Sequence, residues 1–333
     1  MDIILRLLTN VLEEGLIYSI MAIGVFITYS VLHFPDLSVD GTLPLGACVT
    51  AALIDAGKQT AVGAHPVIFA GINVSSPLVT SLLSLASHPV AALCVSFLFG
   101  CLAGAVTGFL HVKLRISDLL SGILTMTGLW SVNLLILGGR SVMPFYDAPT
   151  VFNSGLARLL PGGLYARRVL IMLAVIVLVV KLIVDLYYRT KSGLLLRATG
   201  DNDQFVTSQA VDPGRMKVLG LVIGNGLTAL SGGILAQQAE SANVSGGTGM
   251  VVMGLASVII GSSLLGGVRF LKPTTAVLFG SVVYKAALMI AMQLGLPTNF
   301  LKLLMTALFV VALVSGKTLD GRRERHAAKV GQA

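Results

Sequence analysis

Asp36 and Asp40 stand four residues apart in His33-Phe34-Pro35-Asp36-Leu37-Ser38-Val39-Asp40-Gly41, a polar island in an otherwise apolar part of the chain. Carboxylates at that spacing can hold a cation or a proton, accept hydrogen bonds from a ligand, or cap a helix N-terminus, where free backbone N–H groups favour negative charge. Pro35 and Gly41 mark where a helix stops and restarts. Lys285 is a second isolated charge, midway through the apolar run GSVVYKAALMIAMQ. A bare ammonium there is costly, so it must face the protein interior, snorkel or find a partner. Tyr284 and an acid across the bundle are the candidates, and a structural ion pair outweighs a ligand contact. Ser315-Gly316-Lys317-Thr318 resembles the end of a phosphate-binding loop, but Val311 stands where its first glycine should be, so no nucleotide site is read.

The elements that must position these residues are membrane helices. The chain has 333 residues, 55% of them hydrophobic and 11% charged, and its mean hydropathy of +0.89 exceeds that of ordinary soluble domains. Nine apolar runs fall at 12–32, 41–54, 90–112, 119–137, 169–186, 218–235, 250–265, 274–292 and 301–315. The second and seventh are short, with glycine and polar flanks. Little chain is left for a soluble domain, so any ATP-hydrolysing part belongs to another chain. The start, MDIILRLLTNVLEEG, shows no cleavable leader, and the first span is expected to stay. Cys48, Cys94 and Cys101 lie in apolar runs and read as small buried apolar side chains.

Fourteen of the 23 basic residues follow the third, fifth, seventh and ninth runs. By the positive-inside rule that side is the cytoplasm, with the C-terminus inside and the N-terminus outside. The net charge of +8 therefore reports orientation rather than nucleic-acid binding. Segments 56–89 and 139–168 face outward.

With the fifth span as pivot, four spans precede and four follow, running in opposite directions. The first set interrupts at HFPDLSVDGT and the second at Gln237 to Gly249, the same place in each. Paired interruptions in mirrored halves point to a central site, and non-helical backbone at membrane depth needs protein or water around it. The alternative is a pair of surface turns in which each acid caps the next helix. The fold class expected is all-α, a polytopic membrane protein of about nine transmembrane helices in an inverted-repeat arrangement with short broken helices. Residues 1–333 form one transmembrane domain, with a first repeat at about 11–138, a loop at 189–217, a second repeat at about 218–316 and a basic tail at 317–333. Candidate pathway residues are Asp36, Ser38, Asp40, Gly41 and Thr42 in the first interruption and Asn243, Ser245, Gly246 and Thr248 in the second. Thr125, Thr127 and Asn133 in the fourth span and Asn225 in the sixth join them, although such side chains more often serve interhelical hydrogen bonds.

The 189–217 loop is too long for a mere connector. Asp201 or Asn202 can cap a short helix running to about Ala210, and Asp212-Pro213-Gly214 stops it.

This combination resembles the permease subunits of bacterial ATP-binding-cassette importers, in the branch that includes branched-chain amino acid and ribose permeases. The resemblance covers nearly the whole chain. It rests on GLIYSIMAIGVFITYSVLHFPDLSVDGTLPLGA, GILTMTGLWSVNL, GLLLRATGDNDQFVTSQAVDPGRMKVLGLVIGNGLTALSGGILAQ and LPTNFLKLLMTALFVVAL. It is closest to the tryptophan/tyrosine and uncharacterised amino acid transport permeases, in which FPDL-[ST]-VDG is a specific motif. Segment 56–89 is longer than the family's usual link, and His33 stands where an acid is common.

The resemblance implies ATP-binding-cassette ATPase subunits docked on the loop, with ATP and Mg bound there and no cofactor on this chain. It also implies a periplasmic or lipid-anchored substrate-binding protein and a second permease copy, as a homodimer in the bacterial cytoplasmic membrane. Asp203 to Ala210 looks like the coupling helix, with Phe205 as its apolar anchor and Gly193, Arg197, Asp201 and Asp212 framing it. The expected function is a non-enzymatic import subunit for a small organic solute, most simply an amino acid. A rival of another class is an ion- or proton-coupled secondary transporter using Asp36, Asp40 and Glu240, although it leaves the capped loop unexplained.

Overall fold

The computed structural model describes residues 2–61, 67–69, 72–74, 84–155, 167–265, 271–295, 297, 300 and 303–314. The long helices are α1 (Asp2–Val25), α2 (Val39–Ala61), α3 (Pro89–Val112), α4 (Asp118–Ile136), α5 (Arg168–Tyr187), α8 (Pro213–Ala239), α9 (Met250–Leu265) and α10 (Pro273–Gln293). Two short helices, α6 (Lys191–Asp201) and α7 (Asp203–Ser208), stand between α5 and α8. Strands β1 (Val67–Phe69) and β2 (Ile72–Val74) pair antiparallel. Strands β3 (Val142–Pro144) and β4 (Ser241–Asn243) pair antiparallel, with Val142 opposite Asn243 and Pro144 opposite Ser241.

Eight helices among the described residues are long and apolar enough to cross a membrane. Of the ninth run expected at 301–315, the described residues hold the apolar helix α11 (Leu303–Val314). The 266–270 and 315–333 segments, which hold Arg269 and the basic tail, lie outside the described residues.

Helix starts follow local chemistry. Proline occupies the first position of α3, α8 and α10, where its missing N–H costs nothing. The Asp212 side chain accepts from the Gly214 N–H to cap α8.

The short second span expected at 41–54 is instead the 23-residue α2. Hydropathy ends early because Asp55, Lys58 and Gln59 interrupt the apolar run, but their polar groups are satisfied without breaking the helix. Gln59 donates to Asp55 at 2.7 Å, and the Lys58 ammonium reaches the Tyr146 carbonyl at 2.6 Å. The seventh span is not short either: α9 has 16 residues, but with the 3-10 turn at Val244–Gly247 that precedes it the span runs 22 residues, from Val244 to Leu265.

Packing repeats between the halves. The first span packs on the eighth as the sixth packs on the third (α1 on α10, α8 on α3). The second packs on the third as the seventh packs on the eighth (α2 on α3, α9 on α10). Helix α8 lies against α1, α2 and α3 at distances that only small residues permit. A Cβ at Gly232 would collide with the Leu43 carbonyl oxygen, and one at Gly104 with that of Leu221. All three cysteines are free, and Cys94 is exposed rather than buried.

Candidate functional site

Helix α1 does not end cleanly. Phe26–Val31 widens into a π-helical turn, a feature common at functional sites. The Phe34 N–H closes the turn on the Thr28 carbonyl at 2.8 Å, and His33 takes a left-handed φ of 55°. Asp36 follows, only 4% exposed. One of its oxygens accepts the Ser38 N–H at 2.9 Å and the Ser38 hydroxyl at 2.6 Å; the other accepts the Asn225 amide at 2.7 Å. The Asn225 oxygen in turn accepts the Thr42 hydroxyl at 2.8 Å. Asn225 lies midway along the 27-residue α8, so this network places the first interruption inside the bundle, surrounded by protein.

The second interruption meets the first. Glu240 ends α8 in the left-handed conformation, at φ 49°. The Asn243 side chain accepts the Ser245 N–H at 2.9 Å, and the Thr248 hydroxyl donates to the Ser245 carbonyl at 3.2 Å. Asp40 reaches across to accept the N–H groups of Gly249 at 2.9 Å and Val251 at 2.8 Å. It therefore caps α9, in the other half of the chain, rather than the helix that carries it. A Cβ on Gly247 would strike the Asp40 carbonyl, so glycine lets the two interruptions touch.

A cavity of about 460 Å³ lies between these interruptions and α4. Asp40, Gly41, Pro44 and Thr248 form one wall, and Met126, Thr127, Trp130 and Asn133 the other. The Asn133 amide donates to the Gly41 carbonyl at 3.1 Å and ties the walls together. Five of the expected pathway residues thus line one cavity. Asp36, Ser38, Thr42 and Asn225 form the buried network instead, and Thr125 bonds to Thr107 at 3.0 Å, joining α3 to α4. Asn243, Ser245 and Gly246 sit on the exposed turn. Sequence reasoning missed Met126 and Trp130, although their spacing with Asn133 marks one helix face.

The segment between α5 and α8 holds two helices where one was expected. Thr190 caps α6 by accepting the Gly193 N–H at 3.2 Å. Asn202, not Asp201, caps α7, accepting the N–H groups of Gln204 and Phe205 at 2.9 and 3.1 Å. Asp201 is the exposed last residue of α6. Ala210 turns the chain with a φ of 58°. Asp203 pairs with Lys217 at 2.8 Å, and Arg197 lies 4.3 Å from the Tyr188 ring centroid. Phe205 is 53% exposed, while its neighbour Val206 is fully buried and seats α7 on the bundle. A Cβ at Gly193 would meet the Tyr187 carbonyl, and one at Gly200 the Val31 carbonyl. Helix α6 thus rests directly on the π-turn before Asp36.

Residues 7–313 match the family described as branched-chain amino acid transport system, permease component. The chain belongs to that family. It is 37% identical over 321 residues to a tyrosine transport system permease protein of Clostridioides difficile (strain R20291), covering 96% of this chain and 95% of the relative. An uncharacterised protein of Rickettsia prowazekii (strain Madrid E) is 29% identical, over 95% of this chain and all of its own length. A ribose import permease protein of Escherichia coli (strain K12) is 23% identical over 78% of this chain and 70% of its own. No solved structure matches. The protein is a multi-pass membrane permease component of an ABC-type transport system.

The mid-span charge of this permease is paired. Lys285 lies 2.8 Å from Glu14 on α1, with its ammonium 4.2 Å from the Tyr18 ring centroid. The ring partner is therefore Tyr18 and not Tyr284, whose hydroxyl points towards the Met305 carbonyl at 3.5 Å. Consecutive residues on a helix face different ways, so Tyr284 could not serve Lys285.

Proposed function

We propose that this permease imports an amino acid through the cavity between α4 and the two interruptions, driven by ATP hydrolysed on separate ATPase subunits. The observation that carries this reading is α7: a capped, exposed helix that turns Phe205 outward while Val206 anchors it. An ATPase docked on Phe205 would push a rigid element. Because Gly200 brings α6 against Val31, that push reaches the backbone just ahead of Asp36. Closing of the ATPases would then shift the permease between outward- and inward-facing states.

The solute assignment draws on the tyrosine transport permease of Clostridioides difficile, similar along nearly its whole length. The pathway would comprise Asp40, Gly41, Thr127, Asn133 and Thr248 at the cavity, with Asp36, Ser38, Thr42, Thr125 and Asn225 holding the interruption and Asn243, Ser245 and Gly246 on the turn beside it. Two identical permeases would work together in the bacterial cytoplasmic membrane, with the N-terminus outside and the C-terminus inside. A substrate-binding protein would deliver the solute, and ATP and Mg would sit on the ATPases. Membership of an ABC-type family favours this over ion coupling.

The test is reconstitution in proteoliposomes with the ATPase and binding protein encoded beside this gene. Tyrosine should stimulate ATP hydrolysis and accumulate only with ATP inside. Uptake that collapses with an uncoupler at constant ATP would overturn the proposal.

A further inference from the structure

Two tyrosines stand at the end of α5, and their hydroxyls differ. That of Tyr187 lies 3.1 Å from the Ser192 hydroxyl, at the start of α6. That of Tyr188, a residue only 4% exposed, has no hydrogen-bond partner among the described residues. A buried hydroxyl in that state is costly, whereas a phenylalanine would fill the same space without the cost. The group is a liability in this conformation and an asset only in one where a partner meets it.

The surroundings identify the motion that would supply the partner. Gly193, Arg197 and Gly200 recur at helical spacing along one face of α6. A Cβ at Gly193 would crowd the backbone of Tyr187 and Tyr188, and one at Gly200 the Val31 carbonyl. Between them, the Arg197 guanidinium lies over the Tyr188 ring, 4.3 Å from its centroid. The Tyr188 and Phe26 rings meet nearly at a right angle, with centroids 6.5 Å apart. Phe26 opens the π-turn and Val31 closes it. Helix α6 therefore holds the π-turn at both ends, directly at Val31 and through Tyr188 at Phe26. Arg197 carries a fork of N–H donors, and here it presents them to the ring face rather than to the hydroxyl.

We infer that Tyr188 is a two-position latch. Its ring carries Arg197 in the conformation seen here, and its hydroxyl accepts from Arg197 once α6 slides along the ring. The hydroxyl bond favours the displaced position of α6, and the ring-face and Val31 contacts favour the resting one, so the lever has two discrete settings. Tyr188 is thus a positioning residue: it meets no solute and acts through the π-turn on the backbone ahead of Asp36. The inference rests on the import reading above, in which the ATPases drive α7 and α6.

Tyr188→Phe keeps the ring and removes the hydroxyl alone. The full-length variant in detergent should unfold at or above the temperature of the parent, because no bond is lost in this conformation. In proteoliposomes with the ATPase and binding protein, uptake per ATP should nevertheless fall several-fold. Adding Arg197→Met to Tyr188→Phe should lower that ratio no further, since the two groups act as one. 3-Fluorotyrosine placed at position 188 reads the hydroxyl directly. Its 19F resonance should move when the complex with the ATPases is trapped with ATP and vanadate, and should stay in place when the complex also carries Arg197→Met. A lower unfolding temperature for Tyr188→Phe would mean that the hydroxyl is already bonded in this conformation, and overturns the inference. So does a resonance that trapping leaves in place, or unchanged uptake per ATP. A resonance that moves on trapping in a complex that imports no solute would uphold the latch and remove the import reading instead.

Discussion

Asn225, midway along α8, donates its amide to the Asp36 carboxylate at 2.7 Å, joining residues 189 apart in the chain. That bond draws the first interruption into the centre of the bundle. It also explains how an acid persists in so apolar a protein: both carboxylate oxygens receive donors, from Ser38 on one side and Asn225 on the other.

Replacing Asn225 by Leu should therefore destabilise the permease by about 1–3 kcal/mol, because Asp36 and Thr42 lose a buried partner together. Asp36→Asn should cost less, since it removes the charge along with the matched acceptor. Thermal unfolding in detergent, followed by size-exclusion fluorescence, measures both. Equal stability of the Leu variant and the parent would show that the network carries no weight.

Asp40 tests a different bond. Asp40→Ala removes the cap of α9 and should cost about 0.5–2 kcal/mol, while Asp40→Asn retains one acceptor and should lie between the variant and the parent. Because α9 begins at the cavity, tyrosine uptake should fall further than stability does. Parallel unfolding and uptake measurements on the two variants would separate a cap from a direct solute contact, which would make Asn as damaging as Ala.

Much of this arrangement is legible in the sequence, for reasons that are local. Apolar runs mark spans because the bilayer core sets their length, and Asn202 marks a helix start because a short acceptor fits there, whereas Asp212, read only as part of the turn that stops the preceding helix, also caps α8. The enclosed position of Asp36 follows from Pro35 and the cost of free backbone in lipid, although the helix restarts at Val39 rather than at Gly41. Long-range partners are another matter. Nothing near Asp40 says that it caps α9 rather than α2, and nothing near Lys285 names Glu14 and Tyr18. The full length of α2 was hidden because hydropathy counts Lys58 and Gln59 as polar without seeing that Tyr146 and Asp55 satisfy them.

The two adjacent apolar residues of α7 should behave oppositely. Phe205→Ala removes an exposed ring and should leave stability within about 0.5 kcal/mol of the parent. Co-purification of the ATPase should nevertheless drop steeply. Val206→Ala opens a gap under α7 and should cost about 1–3 kcal/mol. Retention of the ATPase by the Phe205 variant would remove α7 as the docking element.

Gly200 should separate ATP hydrolysis from transport. A methyl group there meets the Val31 carbonyl, so Gly200→Ala must push α6 away from the π-turn. The ATPase would still dock on Phe205, but its stroke would no longer reach the first interruption. Hydrolysis in proteoliposomes should continue at a similar rate while uptake per ATP falls several-fold. Gly193→Ala also crowds backbone, at Tyr187, but lies farther from the π-turn. It should lower stability without changing that ratio.

The Glu14–Lys285 pair, with side chains 39% and 13% exposed, fixes α1 against α10. Glu14→Gln strands the ammonium beside the Tyr18 ring and should cost about 1–3 kcal/mol, less than a fully buried pair because Glu14 is partly open. Lys285→Met alone leaves the more exposed carboxylate and should cost less. The double variant Glu14→Gln, Lys285→Met should regain most of the loss, since no charge is then left unpaired. Unfolding temperatures of the four proteins complete the cycle. Additive losses would mean that the two side chains do not act together and that the apolar contacts of α1 and α10 hold the helices by themselves.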